Sequence, residues 1–196
     1  MSPVFFQSLT SVKTLKMRGT LLDSMFMSRH SEQLFRYLTQ LRSLDLSNNQ
    51  LKLLARGTFK NNFQLQTLNL ANNGFTTIPL DLTLRPNLTY LDLSANSISQ
   101  LGVKDMQLVE QHASTVTEFS LHLTGNIMVC ICSSIPFFTW LQNTKVSLDR
   151  RMTYSCLTEN GTLTTLTSEL CGGSVRGKPL SCFLLSSCAS CLMDLW

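Results

Sequence analysis

The strongest constraint on this chain is that it repeats itself. The string Leu41-x-x-Leu44-x-Leu46-x-x-Asn49-x-Leu51 returns as Leu65-x-x-Leu68-x-Leu70-x-x-Asn73-x-Phe75 and again as Leu88-x-x-Leu91-x-Leu93-x-x-Asn96-x-Ile98. The starts at Leu41, Leu65 and Leu88 are almost evenly spaced. Fainter copies flank them at slightly longer intervals. Upstream of Leu41, Val12-x-x-Leu15-x-Met17 fits the same frame, with Thr20 in the asparagine's place. Downstream of Leu88, Glu118-x-x-Leu121-x-Leu123-x-x-Asn126 fits it too, with its first leucine replaced. Six positions before the first four starts come Phe6, Phe35, Phe59 and Leu82. Recurrence at this spacing implies a stack of similar coils, each touching only its neighbours and burying its apolar side by stacking.

The residue types fit that geometry. In Leu-x-Leu the leucines alternate with polar residues as a short strand requires, so they point into the coil while Asp45, Asn69 and Asp92 point outward. Asn49, Asn73, Asn96 and Asn126 fall at the bend after each strand, where an inward amide can bond backbone groups of adjacent coils. The phenylalanines ahead of each coil read as core fillers on the convex side. Period and consensus are those of leucine-rich repeats. The expected fold class is therefore α/β, a leucine-rich repeat solenoid forming a curved horseshoe segment and closed by a C-terminal disulfide cap. The repeats should occupy residues 1–126 as about five coils starting near 12, 41, 65, 88 and 118. The first and fourth coils are long. From Gly102 to Thr117, Val103, Met106, Val109 and Ala113 recur at helical spacing and predict a short amphipathic helix on the convex face.

All seven cysteines lie between Cys130 and Cys191. That concentration marks a separately stabilised module over residues 127–182, followed by an apolar cysteine-containing tail over 183–196. The open end of a solenoid must be covered. Phe137, Phe138, Trp140 and Leu141 after Pro136 read as a capping helix over the last leucines, pinned by two bridges from Cys130-x-Cys132. Cys130, Cys132, Cys156, Cys171 and Cys182 are the candidates for these bridges. Zinc is the weaker reading, because Cys130-x-Cys132 is tighter than a zinc knuckle and His30, His112 and His122 all precede the module.

Several function classes find no support. A net charge of +4 from 16 basic and 12 acidic residues, never clustered beyond pairs such as Arg150-Arg151, gives no nucleic-acid signature. Gly172 to Lys178 lacks the glycine spacing and closing Gly-Lys-Ser/Thr of a phosphate loop. No activated serine or cysteine accompanies His122, so neither an enzyme nor a cofactor nor a metal is expected. Binding remains. The outward strand positions Arg42, Asp45, Asn69, Tyr90, Asp92, Phe119 and His122 form the candidate concave surface, with Tyr90 and Phe119 as aromatic anchors. Asn87-Leu88-Thr89 and Asn160-Gly161-Thr162 are acceptor sequences for N-glycosylation in an exported chain. The first residues show no secretory leader, and no apolar run of about 18 residues spans a membrane. The chain is thus expected to be part of a longer protein or a truncated product.

Repeats ending in Gly125-Asn126, then Cys130-x-Cys132, Phe138-x-Trp140-Leu141, Tyr154-x-Cys156 and Arg176-Gly177-Lys178-Pro179-Leu180, resemble the membrane-proximal ectodomain of Toll-like receptors with its C-terminal cysteine cap. The resemblance implies a Cys130–Cys156 bridge, and a partner for Cys132 that is either Cys171 or Cys182. It departs from the family at Ile127, where proline is usual, and in the long stretch between Cys156 and Arg176, where the family has a short link. By resemblance the chain is an extracellular or lumenal recognition segment for a protein or pathogen-derived ligand, pairing as a receptor homodimer or heterodimer. The membrane helix and cytoplasmic signalling domain of such receptors are not in this sequence. The alternatives are a secreted or adhesive leucine-rich repeat protein, or a truncated receptor product without signalling ability.

Overall fold

The computed structural model describes residues 6–55, 57–149, 154–158, 161–165, 174–175 and 178–179. Each coil contributes one short strand to a parallel sheet: β1 (Thr14–Lys16), β2 (Ser43–Asp45), β3 (Thr67–Asn69), β4 (Tyr90–Asp92) and β5 (Ser120–His122). Their central residues stand in register, Leu15 beside Leu44, Leu68, Leu91 and Leu121 in turn. Leu44, Leu68, Leu91 and Leu121 are fully buried, whereas Leu15 on the edge strand is half-buried. The architecture is the α/β leucine-rich repeat solenoid.

The asparagines stitch the coils together. Asn73 Nδ2 donates to the Leu46 carbonyl of the preceding coil and the Leu70 carbonyl of its own, while its Oδ1 accepts from the Leu51 N–H. Asn96 repeats this with Leu70, Leu93 and Phe75, and Asn126 with Leu93, Leu123 and Ile98. Asn49 reaches back to the Met17 carbonyl and the Leu22 N–H. To turn the amide inward, the residue before each asparagine takes a left-handed conformation, with φ between 51° and 80° at Asn48, Asn72, Ala95 and Gly125, and Gly19 before Thr20 does the same. At Gly125 the turn also brings the Ala95 backbone within 3.2 Å of where a Cβ would stand, so glycine is required twice over.

The long coils hold the helices. In the first, α1 (Ser24–Phe35) starts at an Asp23 cap that accepts the Phe26 N–H at 2.7 Å and buries Met27, Leu34 and Phe35. In the fourth, α2 (Val103–Thr115) buries Met106 and Val109. Val103, read as part of that stripe, is exposed, and His112 takes its place in the buried row with Nε2 2.7 Å from the Leu88 carbonyl. The reason is that Val103 opens the helix, before the first full turn meets the core.

After β5 the chain forms β6 (Met128–Cys130), α3 (Ile135–Asn143), β7 (Ser147–Leu148), β8 (Ser155–Thr158) and β9 (Leu163–Thr165). Pro136 sits at the start of α3, where its missing N–H costs nothing. Phe137, Phe138 and Leu141 are buried, and the half-buried Trp140 donates its indole N–H to Glu110 on α2 at 2.7 Å. β7 joins the main sheet as its sixth strand, and β6, β8 and β9 form a second sheet. A disulfide links Cys130 to Cys156, with Cα atoms 5.5 Å apart. The Cys132 side chain, Cys171, Cys182, Asn160 and the tail 183–196 lie outside the described residues.

Candidate functional site

The concave residues follow from strand alternation, but they do not all do the same work. Asp45, Asn69 and Asp92 each close the turn after their strand, accepting the N–H of Ser47, Ala71 and Ser94 at 2.9 Å. Asp92 also accepts the Ser94 hydroxyl and is only 9% exposed. Arg42 is exposed, and with Lys13, Lys16 and Arg18 it makes the surface of the first two coils basic.

The structure brings three of the candidates into one cluster. Asp92 and His122 are register partners on β4 and β5. Tyr90, two positions before Asp92 on the same face, lays its ring 4.7 Å from the His122 ring and sets its hydroxyl 3.2 Å from His122 Nδ1. The same hydroxyl is 3.5 Å from Asp92 Oδ2. Burial pushes the Tyr90 phenol above its ordinary range, and the neighbouring Asp92 and Asp149 carboxylates push it further. Tyr90 therefore keeps its proton, with Asp92 Oδ2 as an acceptor and His122 Nδ1 as a second polar partner in reach. The Ser94 hydroxyl donates to Asp92, and the imidazole faces Tyr90. The cluster offers hydroxyl, carboxylate and imidazole groups that can recognise polar ligands.

Phe119 requires a correction. Expected as an exposed anchor, it is 4% exposed and packs edge-on against His112, with ring centroids 4.7 Å apart. Glu118 occupies the consensus leucine position and stays in water, because an unpaired carboxylate cannot be buried cheaply. The next apolar residue turns inward instead.

That slip shapes the surface beside the cluster. A groove of about 880 Å³ opens where the C-terminal part of α2 stands off from the beginnings of β4, β5 and β7. Tyr90 forms part of one wall, Ala113 and Glu110 the other, and Lys145, Val146 and Ser147 close the end. Val146-x-Leu148 repeats the apolar alternation of the coils, with Leu148 pairing with Leu121, which is the sequence signal for the extra strand, but Lys145 and Glu110 carried no signal as site residues.

Asp149 was also missed. Its carboxylate accepts the Leu123 and Thr124 N–H groups at 3.1 and 3.0 Å and the Tyr154 hydroxyl at 2.8 Å. Burial raises its pKa, but the hydrogen bonds from Thr124, Leu123 and Tyr154 outweigh burial and hold it below the usual aspartate value. Among the described residues no three metal-binding side chains converge, and no helix is long and apolar enough to cross a membrane.

Comparison with known proteins agrees with the fold. The leucine rich repeat family profile matches residues 22–75 and 39–98. Toll-like receptor 4 of Pinctada imbricata is 27% identical over 141 residues, covering 72% of this chain and 16% of that receptor. Protein toll of Drosophila melanogaster is 30% identical over 118 residues, covering 60% of this chain and 10% of its own length. The crystal structure of human 5T4 (trophoblast glycoprotein) matches with a TM-score of 0.59 at 23% identity, over 68% of this chain and 47% of that one. The chain thus spans no more than 16% of the length of these two receptors. It carries leucine-rich repeats and is related in sequence to Toll-like receptors.

Proposed function

We propose that this chain is a non-catalytic extracellular recognition segment of the Toll-like receptor type. It binds a protein or pathogen-derived ligand at the junction between its last regular coil and its cap, and it pairs with a second receptor chain. The observation that carries the reading is the Tyr90–Asp92–His122 cluster beside an open groove. Tyrosine buries a large ring at low entropy cost, and Asp92 and His122 orient its hydroxyl. The Cys130–Cys156 bridge supports export, since disulfides persist in oxidising compartments. Similarity to Toll and Toll-like receptors supports a receptor role over a purely structural one.

The test is biolayer interferometry of the full chain against four analytes: lipopolysaccharide, a triacylated lipopeptide, flagellin, and the chain itself. Binding to at least one analyte is expected, weakened tenfold or more by Tyr90→Ala and by His122→Ala, and unchanged by Met25→Ala on α1. Binding to none of the four, or binding indifferent to both junction substitutions, would overturn the proposal.

A further inference from the structure

The three residues of the acceptor sequence Asn87-Leu88-Thr89 have contrasting surroundings. Leu88 is fully buried, whereas Asn87 and Thr89 are exposed. The buried leucine fixes the segment, so the Asn87 amide stands at a defined place on the flank where the chain rises into β4. Its Nδ2 donates to the Phe63 carbonyl of the preceding coil at 2.7 Å. That flank carries two large apolar side chains in water: Phe63 is 57% exposed and Leu84 is 49% exposed. They lie two and four positions ahead of the first leucine of their coils, on adjacent turns of the stack. Both are apolar surface close to Asn87, Phe63 through the hydrogen bond to its carbonyl and Leu84 three residues earlier in the chain.

We infer that Asn87 carries an N-linked glycan whose first sugars lie over Phe63 and Leu84 and leave the groove of the last coil open. The inference rests on the reading of the chain as exported. The donor is a lipid-diphosphate oligosaccharide of the secretory pathway. The Nδ2–C1 bond forms as the C1–O bond to the diphosphate breaks; the lipid diphosphate leaves with that electron pair and the amide gives up one proton, with no oxidation or reduction. One N–H remains on Nδ2, enough to keep its bond to Phe63. The carbon–hydrogen faces of a pyranose are apolar and suit an aromatic ring. Direction follows from the same bond. Thr89 stands on the border of the groove, but Asn87 is tied back toward the third coil, away from β5 and β7.

The full chain, secreted from eukaryotic cells behind an added leader, reaches the lumen whatever its native route. Enzymatic deglycosylation in heavy-oxygen water followed by peptide mapping should label Asn87 in most molecules, and Asn87→Gln or Thr89→Ala should abolish the label. Removing the glycan from the folded protein should raise the fluorescence of bound anilinonaphthalene sulfonate at least twofold. Phe63→Ser with Leu84→Ser should cancel that rise. Because the glycan is removed after folding, the rise itself is read on the parent chain rather than on a variant. An unmodified Asn87 in secreted, folded protein would overturn the site. A modified Asn87 whose deglycosylation leaves dye binding unchanged would overturn the covering role. Neither readout depends on ligand binding, so this inference and the proposed function fail separately.

Discussion

The central coils and the last coil solve one problem in different ways. Between β2 and β4, the N–H after each strand finds a backbone carbonyl of the next coil: Leu46 bonds Asn69, and Leu70 bonds Asp92. One bend further on, Asn48 bonds Ala71 and Asn72 bonds Ser94. After β5 no such carbonyl partner appears among the described residues. β7 offers two residues, and the Asp149 carboxylate takes both the Leu123 and the Thr124 N–H in place of two carbonyls. A repeat continues by copying its backbone and ends by substituting a side chain. The same coil departs from the consensus elsewhere: His122 stands where Asp45, Asn69 and Asp92 stand, and Glu118 where leucine is expected. The distinctive chemistry gathers where a regular coil meets the irregular one: Tyr90 and Asp92 belong to the first and His122 to the second.

This contrast gives graded expectations for unfolding in denaturant. Leu91→Ala in a central strand should cost about 2–5 kcal/mol, and Leu148→Ala in the half-buried last strand clearly less. Equal losses would mean that the stack is as tight at its end as in its middle. Replacing Cys130 and Cys156 together by serine should cost about 3 kcal/mol by release of a bridge with a sequence separation of 26. A midpoint indifferent to this double change would show that the cap adds nothing to the stability of the coils.

Much of this was legible before any coordinates. The Leu-x-Leu alternation and the asparagine spacing locate five strands and the stitching between them, because stacking forces every coil to reuse the same positions. Pro136 followed by aromatics marks α3. What escaped depended on contacts between coils. Phe119 turns inward where Glu118 keeps to water, and packs against His112, itself unremarked in the α2 stripe. The long first coil gave no helical stripe, yet α1 forms on the Asp23 cap and the burial of Met27, Leu34 and Phe35. Tyr90, Asp92 and His122 were each named as outward residues; their meeting requires the register that pairs Asp92 with His122. Asp149 reads as a loop aspartate until β7 closes the sheet.

Asp149 supplies a smaller effect with a defined sign. Its folded pKa is depressed, so its contribution is complete above the ordinary aspartate value of about 3.9 and is lost as pH falls through the folded value. Melting temperature followed from pH 6 to pH 2 should fall less steeply for Asp149→Asn than for the parent, starting from a lower plateau. Parallel profiles would contradict the closure by this carboxylate. The smallest effect belongs to the convex surface. The Lys60–Glu32 ion pair, at 2.6 Å with both side chains more than half exposed, should vanish in Lys60→Ala without a measurable change in melting temperature.

The central claim is that the junction is as ordered as the coils it terminates, so that the Tyr90–Asp92–His122 cluster and its groove form a prebuilt surface. Native-state hydrogen exchange at individual amides tests it directly. The Leu123 and Thr124 amides should exchange as slowly as those of Leu70 and Leu93, and Asp149→Ala should speed the first pair while leaving the second unchanged. Exchange of Leu123 and Thr124 in the parent at the rate of exposed loop amides would contradict the claim.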